Sequence, residues 1–156
     1  MVSKIDAISE AKRYNVLATH ILTTTYPVVK EPKVLLSALE NVFLSISQSI
    51  DAIVYHAREK RLIPPFHNSF SIKFDLFCEL AKRYPISKNI INAIEQLKEL
   101  LMFSDDSPVE FSRNGDYILC SDDYDIKRIT HELVYEMISH SRLLQKLAEE
   151  ILHGDV

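Results

Sequence analysis

A chain of 156 residues with 47% apolar side chains is about one domain long and can bury one sizeable core. Its net charge of −4 argues against broad electrostatic binding of nucleic acid. Two cysteines, Cys78 and Cys120, suit a reducing compartment better than a disulfide framework. No apolar run nears the roughly 20 residues needed to span a bilayer, so the expectation is a cytoplasmic protein without membrane attachment.

The first predicted helix runs from about Lys4 to Thr24, with Ser3 as N-cap and Pro27 closing it. Ile5, Ile8, Ala11, Val16, Ala18 and Leu22 form a rough apolar stripe, and the β-branched run Thr23-Thr24-Thr25 weakens the last turn. A second helix spans about Pro32 to Arg61, up to Pro64-Pro65. Leu35, Leu39, Val42, Ile46 and Ile53 make one seam, with Ser49 as its polar gap. Leu36, Phe43, Ile50, Val54 and Ala57 make a neighbouring one. Two adjacent apolar faces predict a central helix.

A third helix covers about Ser69 to Arg83, ended by Pro85, and a fourth runs from the Ser87 cap to about Phe103. The last is expected from about Asp123 to Leu152. Its stripe is Ile126, Ile129, Leu133, Met137, Leu144, Leu147 and Ile151, with Gly154 just past its C-terminus. The fold class is therefore all-α: a single domain over 1–156, built as a five-helix up-and-down bundle. The second and last helices exceed the third and fourth by about ten residues. The excess apolar surface needs a cover from loop 62–68, the opening segment or a second copy of the chain.

Between helices four and five, "SPVEFSRNGDYILC" alternates and breaks at Asn114-Gly115, which predicts a β-hairpin over about 109–120 with a type I′ turn. The register pairs Arg113 with Asp116, Ser112 with Tyr117, Phe111 with Ile118, Glu110 with Leu119 and Val109 with Cys120. Val109, Phe111, Ile118 and Cys120 then share the apolar face expected to pack on the bundle or on a partner. Asp122, Asp123 and Asp125 suit the first turn of the last helix as capping residues, in preference to a metal cluster. The exposed ribbon edge is able to accept a strand from another chain.

Candidate sites are sparse. Glu132, Glu136 and His140 lie four apart on one helix face, where i,i+4 pairing is the ordinary explanation, and no metal or other cofactor is expected. Cys78, within "FDLFCELA", reads as a small buried hydrophobe. With helices alternating in direction, Arg58, Lys60, Arg61 and His67 gather at one pole. Lys30, Lys33, Lys82, Arg83 and Lys88 gather at the other, and this second cluster is the place for phosphate or nucleic acid to bind, if either does.

A helical bundle of this length with Arg and His a few residues apart resembles the HEPN superfamily. Many of its members carry R-x(4–6)-H and act as RNases or nucleotide-binding partners. Arg13 to His20 in "RYNVLATH" and Arg61 to His67 in "RLIPPFH" fit that spacing. The resemblance implies an RNA-binding or RNA-cleaving module with Arg61 and His67 as the pair. The stretch "SPVEFSRNGDYILCSDDY" also resembles segments of small prokaryotic helical proteins, archaeal ones among them, which implies no activity. The leading expectation is a non-enzymatic bundle that acts through protein association, as a homodimer using the long helices or the ribbon.

Overall fold

The structure, a computed structural model, describes residues 3–156. Its elements in order are α1 (Lys4–His20), a π-helical turn (Ile21–Thr25), α2 (Tyr26–Val29), α3 (Lys33–Glu59), α4 (Phe70–Leu80), α5 (Lys88–Asp105), β1 (Val109–Arg113), β2 (Asp116–Cys120), β3 (Ile126–Ile129) and α6 (His131–His153). α1, the π turn and α2 form one continuous rod, so five rods carry the fold.

Ser3, Ser69 and Ser87 cap α1, α4 and α5 by accepting the amides of Asp6, Ile72 and Ile90. Pro27 does not end the first rod. The preceding turn loosens instead, with the Tyr26 amide reaching five residues back to the Ile21 carbonyl. That wider turn accommodates a proline ring that a tight α-turn would exclude. The rod stops at Lys30, whose φ of 55° is left-handed. Its buried positions are Ala7, Ile8, Ala11, Asn15, Ala18 and Leu22, whereas Ile5 and Val16 of the expected stripe point outward.

α3 is the central helix, buried along Leu35, Leu39, Val42, Ile46, Ile50, Ile53 and Val54. α1 runs antiparallel to it, since Lys4 pairs with Glu59 at one end and Ser45 donates to the Ala11 carbonyl further along. Ala7, Ala11 and Ala18 on α1, with Ala38, Ser45 and Ala52 on α3, allow the close approach that lets a side chain reach a neighbouring backbone. α6 lies parallel to α3 and antiparallel to α1, with His131 near Tyr26, Ser141 bonded to Asn15 and Glu149 paired with Lys12.

The strict up-and-down order fails at α4. Phe70 packs on Phe43 and Lys73 pairs with Asp51 at 2.7 Å, so residue numbers rise together and α4 runs parallel to α3. The intervening segment turns back along α3, placing Phe66 against Tyr55 and beneath Arg58. Lys73, itself buried, ties this segment down through Asn68 at 2.8 Å. Pro64-Pro65 prevents the segment from continuing as helix, and Leu62, Ile63 and Phe66 give it an apolar side to lay on the core. Loop 62–68 thus covers part of the excess length of α3.

The sheet has three antiparallel strands in the order β1-β2-β3, where a two-stranded hairpin was expected. The β1–β2 register is the one predicted, from Val109–Cys120 to Arg113–Asp116, around Asn114 (φ 52°) and Gly115 (φ 84°). The packing face is reversed. Tyr117, Leu119 and Ile129 sit in the core, while of the expected face Val109 and Phe111 are about half exposed, Cys120 is half-buried and Ile118 alone is buried.

The last helix begins at His131 rather than Asp123. Ser121 and Asp125 close a turn, Tyr124 takes a left-handed φ of 64°, and residues 126–129 then pair with β2. Thr130, not the aspartates, caps α6 by accepting from Leu133 at 3.0 Å. Gly154 ends it in the left-handed region, as expected, with the Gly154 and Asp155 amides closing back on Ile151 and Glu150.

Candidate functional site

Two surfaces stand out, a strand edge and a groove. β1 is an edge strand, and all five of its residues are exposed. A two-residue turn makes Arg113–Asp116 a hydrogen-bonded pair, so the amides and carbonyls of Val109, Phe111 and Arg113 face β2. Those of Glu110 and Ser112 face outward, unpaired within the sheet.

Beneath the strand, Lys33 lies 3.4 Å from Glu110, and the Ser112 hydroxyl reaches Glu31 at 3.5 Å. Glu110 also faces the buried Tyr117 hydroxyl, without a hydrogen bond of full geometry. Tyr117 and Lys33 hold the Glu110 carboxyl below its usual range. Burial, then the Glu110 carboxylate, pushes the Tyr117 phenol well up, so it stays protonated. On the far side of the sheet, Val109, Phe111 and Ile126 present an exposed apolar strip around Ile118.

The groove lies between α1 and α6 and encloses about 500 Å³. Its walls are Lys12 and Val16 from α1, and Arg142, Gln145, Lys146 and Glu149 from α6; Asn15 forms its floor. Lys12 is ion-paired with Glu149, and Arg142 donates through Nη2 to Thr19 at 3.0 Å. Asn15 is 3% exposed. Its Oδ1 accepts from Ser141 at 2.6 Å, while its Nδ2 has no partner.

The basic residues Lys30, Lys33, Lys82, Arg83 and Lys88 do not come together. Lys30 and Lys33 flank the α2–α3 turn beside the sheet. The far end of α5, Leu101 to Asp105, lines a groove with Leu36 and Glu40 at the start of α3. Lys88 therefore sits at the opposite pole, about 25 Å away at 1.5 Å per residue. Lys82 and Arg83 lie there too, just before it in the chain. The parallel course of α4 is what separates the set.

Arg61 takes a left-handed φ of 57° just past α3, and His67 lies on the returning loop; both are exposed and no hydrogen bond joins their side chains. Arg13 instead pairs with Glu10 at 2.8 Å, while His20 is exposed at the end of α1. Glu132 and Glu136 are exposed, His140 is half-buried, and Asp122, Asp123 and Asp125 point outward from the β2–β3 turn. Among the described residues, no three His, Cys, Asp or Glu side chains gather as metal ligands. Burial, followed by Glu95 and Asp75, raises the Cys78 thiol, which disfavours the nucleophilic thiolate.

Sequence reading missed the α1–α6 groove. The signals were present as Lys12 and Asn15 at i,i+3 and as Arg142, Gln145, Lys146 and Glu149 at i, i+3, i+4 and i+7. Bringing the two faces together required knowing that α1 and α6 are neighbours. No protein-family model, curated protein or solved structure matches this chain.

Proposed function

We propose that this protein acts by association rather than by catalysis, as a homodimer joined through the free edge of β1. The observation that carries this reading is the unpaired, solvent-exposed β1 edge, which has no proline or lysine within it to block another strand. An antiparallel copy centred on Phe111 sets Glu110 opposite the second copy's Ser112, the two residues whose backbone groups face outward. The two-fold axis also sets Lys33 of each copy towards Glu31 of the other, so opposite charges meet beneath the joined strands. Cross-axis contact of the two Phe111 rings covers apolar surface that one chain leaves bare.

Ser112→Pro provides the test. In a single chain the Ser112 amide has no strand partner, so proline at this edge position leaves the hairpin intact while removing a donor from the joined edge. The parent is expected to show a dimer mass at micromolar concentration, and the variant a monomer mass with an unchanged far-UV spectrum. A parent that stays monomeric at high micromolar concentration sinks the reading.

A further inference from the structure

We propose that the groove between α1 and α6 binds a phosphate group carried by a small molecule. Three cations, Lys12, Arg142 and Lys146, surround it against one carboxylate, Glu149, in a protein whose net charge is −4. Arg142 and Lys146 stand one turn apart on the same helix face, a like-charge arrangement that weakens an isolated helix. Lys146 has no hydrogen bond or ion pair among the described residues. Arg142 engages Thr19 through a single nitrogen, so much of its donor fork remains available.

The floor supplies an independent observation. Asn15 is almost fully buried, and its Nδ2 is a donor without an acceptor, a destabilising condition unless something fills it. Ser141 donates to Oδ1 and thereby leaves Nδ2 as the open end of the amide. A tetrahedral phosphate offers several acceptor oxygens, enough to engage the Arg142 fork, the Lys146 ammonium and the Asn15 amide together. The Lys12–Glu149 pair in its wall and the overall negative charge favour a small phosphoester over a polyanion. Val16, 65% exposed, and Gln145 offer an apolar and a polar wall for the rest of such a molecule.

The test is an NMR titration of isotope-labelled protein with inorganic phosphate, with ionic strength held constant by chloride. Saturable shifts are expected at the Asn15 side-chain amide and at the backbone amides of residues 142–146. Affinity should weaken about tenfold or more in Lys146→Ala and in Arg142→Gln, as for loss of one charge-assisted contact. Both side chains are exposed, so the variants should melt with the parent. Non-saturable shifts, shifts elsewhere, or affinity equal to the parent's in both variants overturn the proposal. Parallel titrations with ribose 5-phosphate and with single-stranded RNA identify the source. Binding of the monoester at least as tight as that of inorganic phosphate supports it, and binding of RNA alone overturns it.

Discussion

The Gly115 carbonyl accepts a hydrogen bond from the Tyr26 hydroxyl at 2.7 Å, while its backbone holds a φ of 84°. A Cβ at this position would meet the Tyr26 oxygen at 3.2 Å, so glycine satisfies both a turn and a contact between the sheet and the first rod. Gly115→Ala is expected to cost about 1–3 kcal/mol in urea unfolding, from backbone strain and displacement of Tyr26. Gly154→Ala carries the backbone cost alone, because nothing lies within 4 Å of its added carbon, and should destabilise less. Equal losses would remove the role assigned to the Tyr26 contact. At this scale much was legible in the sequence. Asn114-Gly115 gave the turn and the whole β1–β2 register, because positive φ at both positions leaves few alternatives.

At the scale of elements, the helices were readable where a cap or a proline set a boundary, as at Ser69, Ser87 and Pro32. Two boundaries were misread for physical reasons. Pro27 was absorbed by a π turn, which the threonine run foreshadowed only as weak helix. Residues 126–129 carry isoleucines at helical spacing from Leu133, yet the left-handed Tyr124 and the Thr130 cap deliver them to β2 as a strand. The third strand also settles which face of the sheet is buried. Leu119, fully buried in mid-sheet, should lose about 2–5 kcal/mol on replacement by alanine. Ile126, 65% exposed, should lose no more than about 0.5 kcal/mol on the same change. Thermal unfolding of the two variants checks this, and a larger loss at Ile126 would contradict the orientation of the sheet.

At the scale of the whole molecule, the closing of α1 onto α3 ties stability to pH. His56 is buried beside Lys4, with Lys4 Nζ 3.1 Å from its Nδ1. Burial first, then the charges of Lys4 and Lys60, lowers its pKa below 6.5, against a smaller opposing pull from Glu59. Between that lowered value and 6.5 the unfolded chain binds the extra proton, so this contribution is intact above about pH 6.5 and is lost as the pH falls. The depressed carboxyls of Glu59 and Glu110 act below about pH 4.5, outside this window. Urea midpoints from pH 7.5 to 5.5 are expected to fall more steeply for the parent than for His56→Gln, and parallel slopes would assign the effect elsewhere. The α1–α6 groove belongs to this scale as well. Each of its faces is an ordinary charged helix surface, and only their meeting makes a concavity, so no local pattern could announce it.

The Ser141–Asn15 hydrogen bond spans 126 positions of chain. α1 and α3 are sequence neighbours and can meet as an early helical hairpin, whereas the side of that pair facing α6 must wait for a segment that begins only at His131, well after α3 ends at Glu59. Until α6 docks, α3 and the first rod lack part of their cover, and the buried Asn15 amide lacks its Ser141 partner. The order of synthesis therefore leaves the nascent chain half-closed, with its central helix exposed along one flank until α6 arrives.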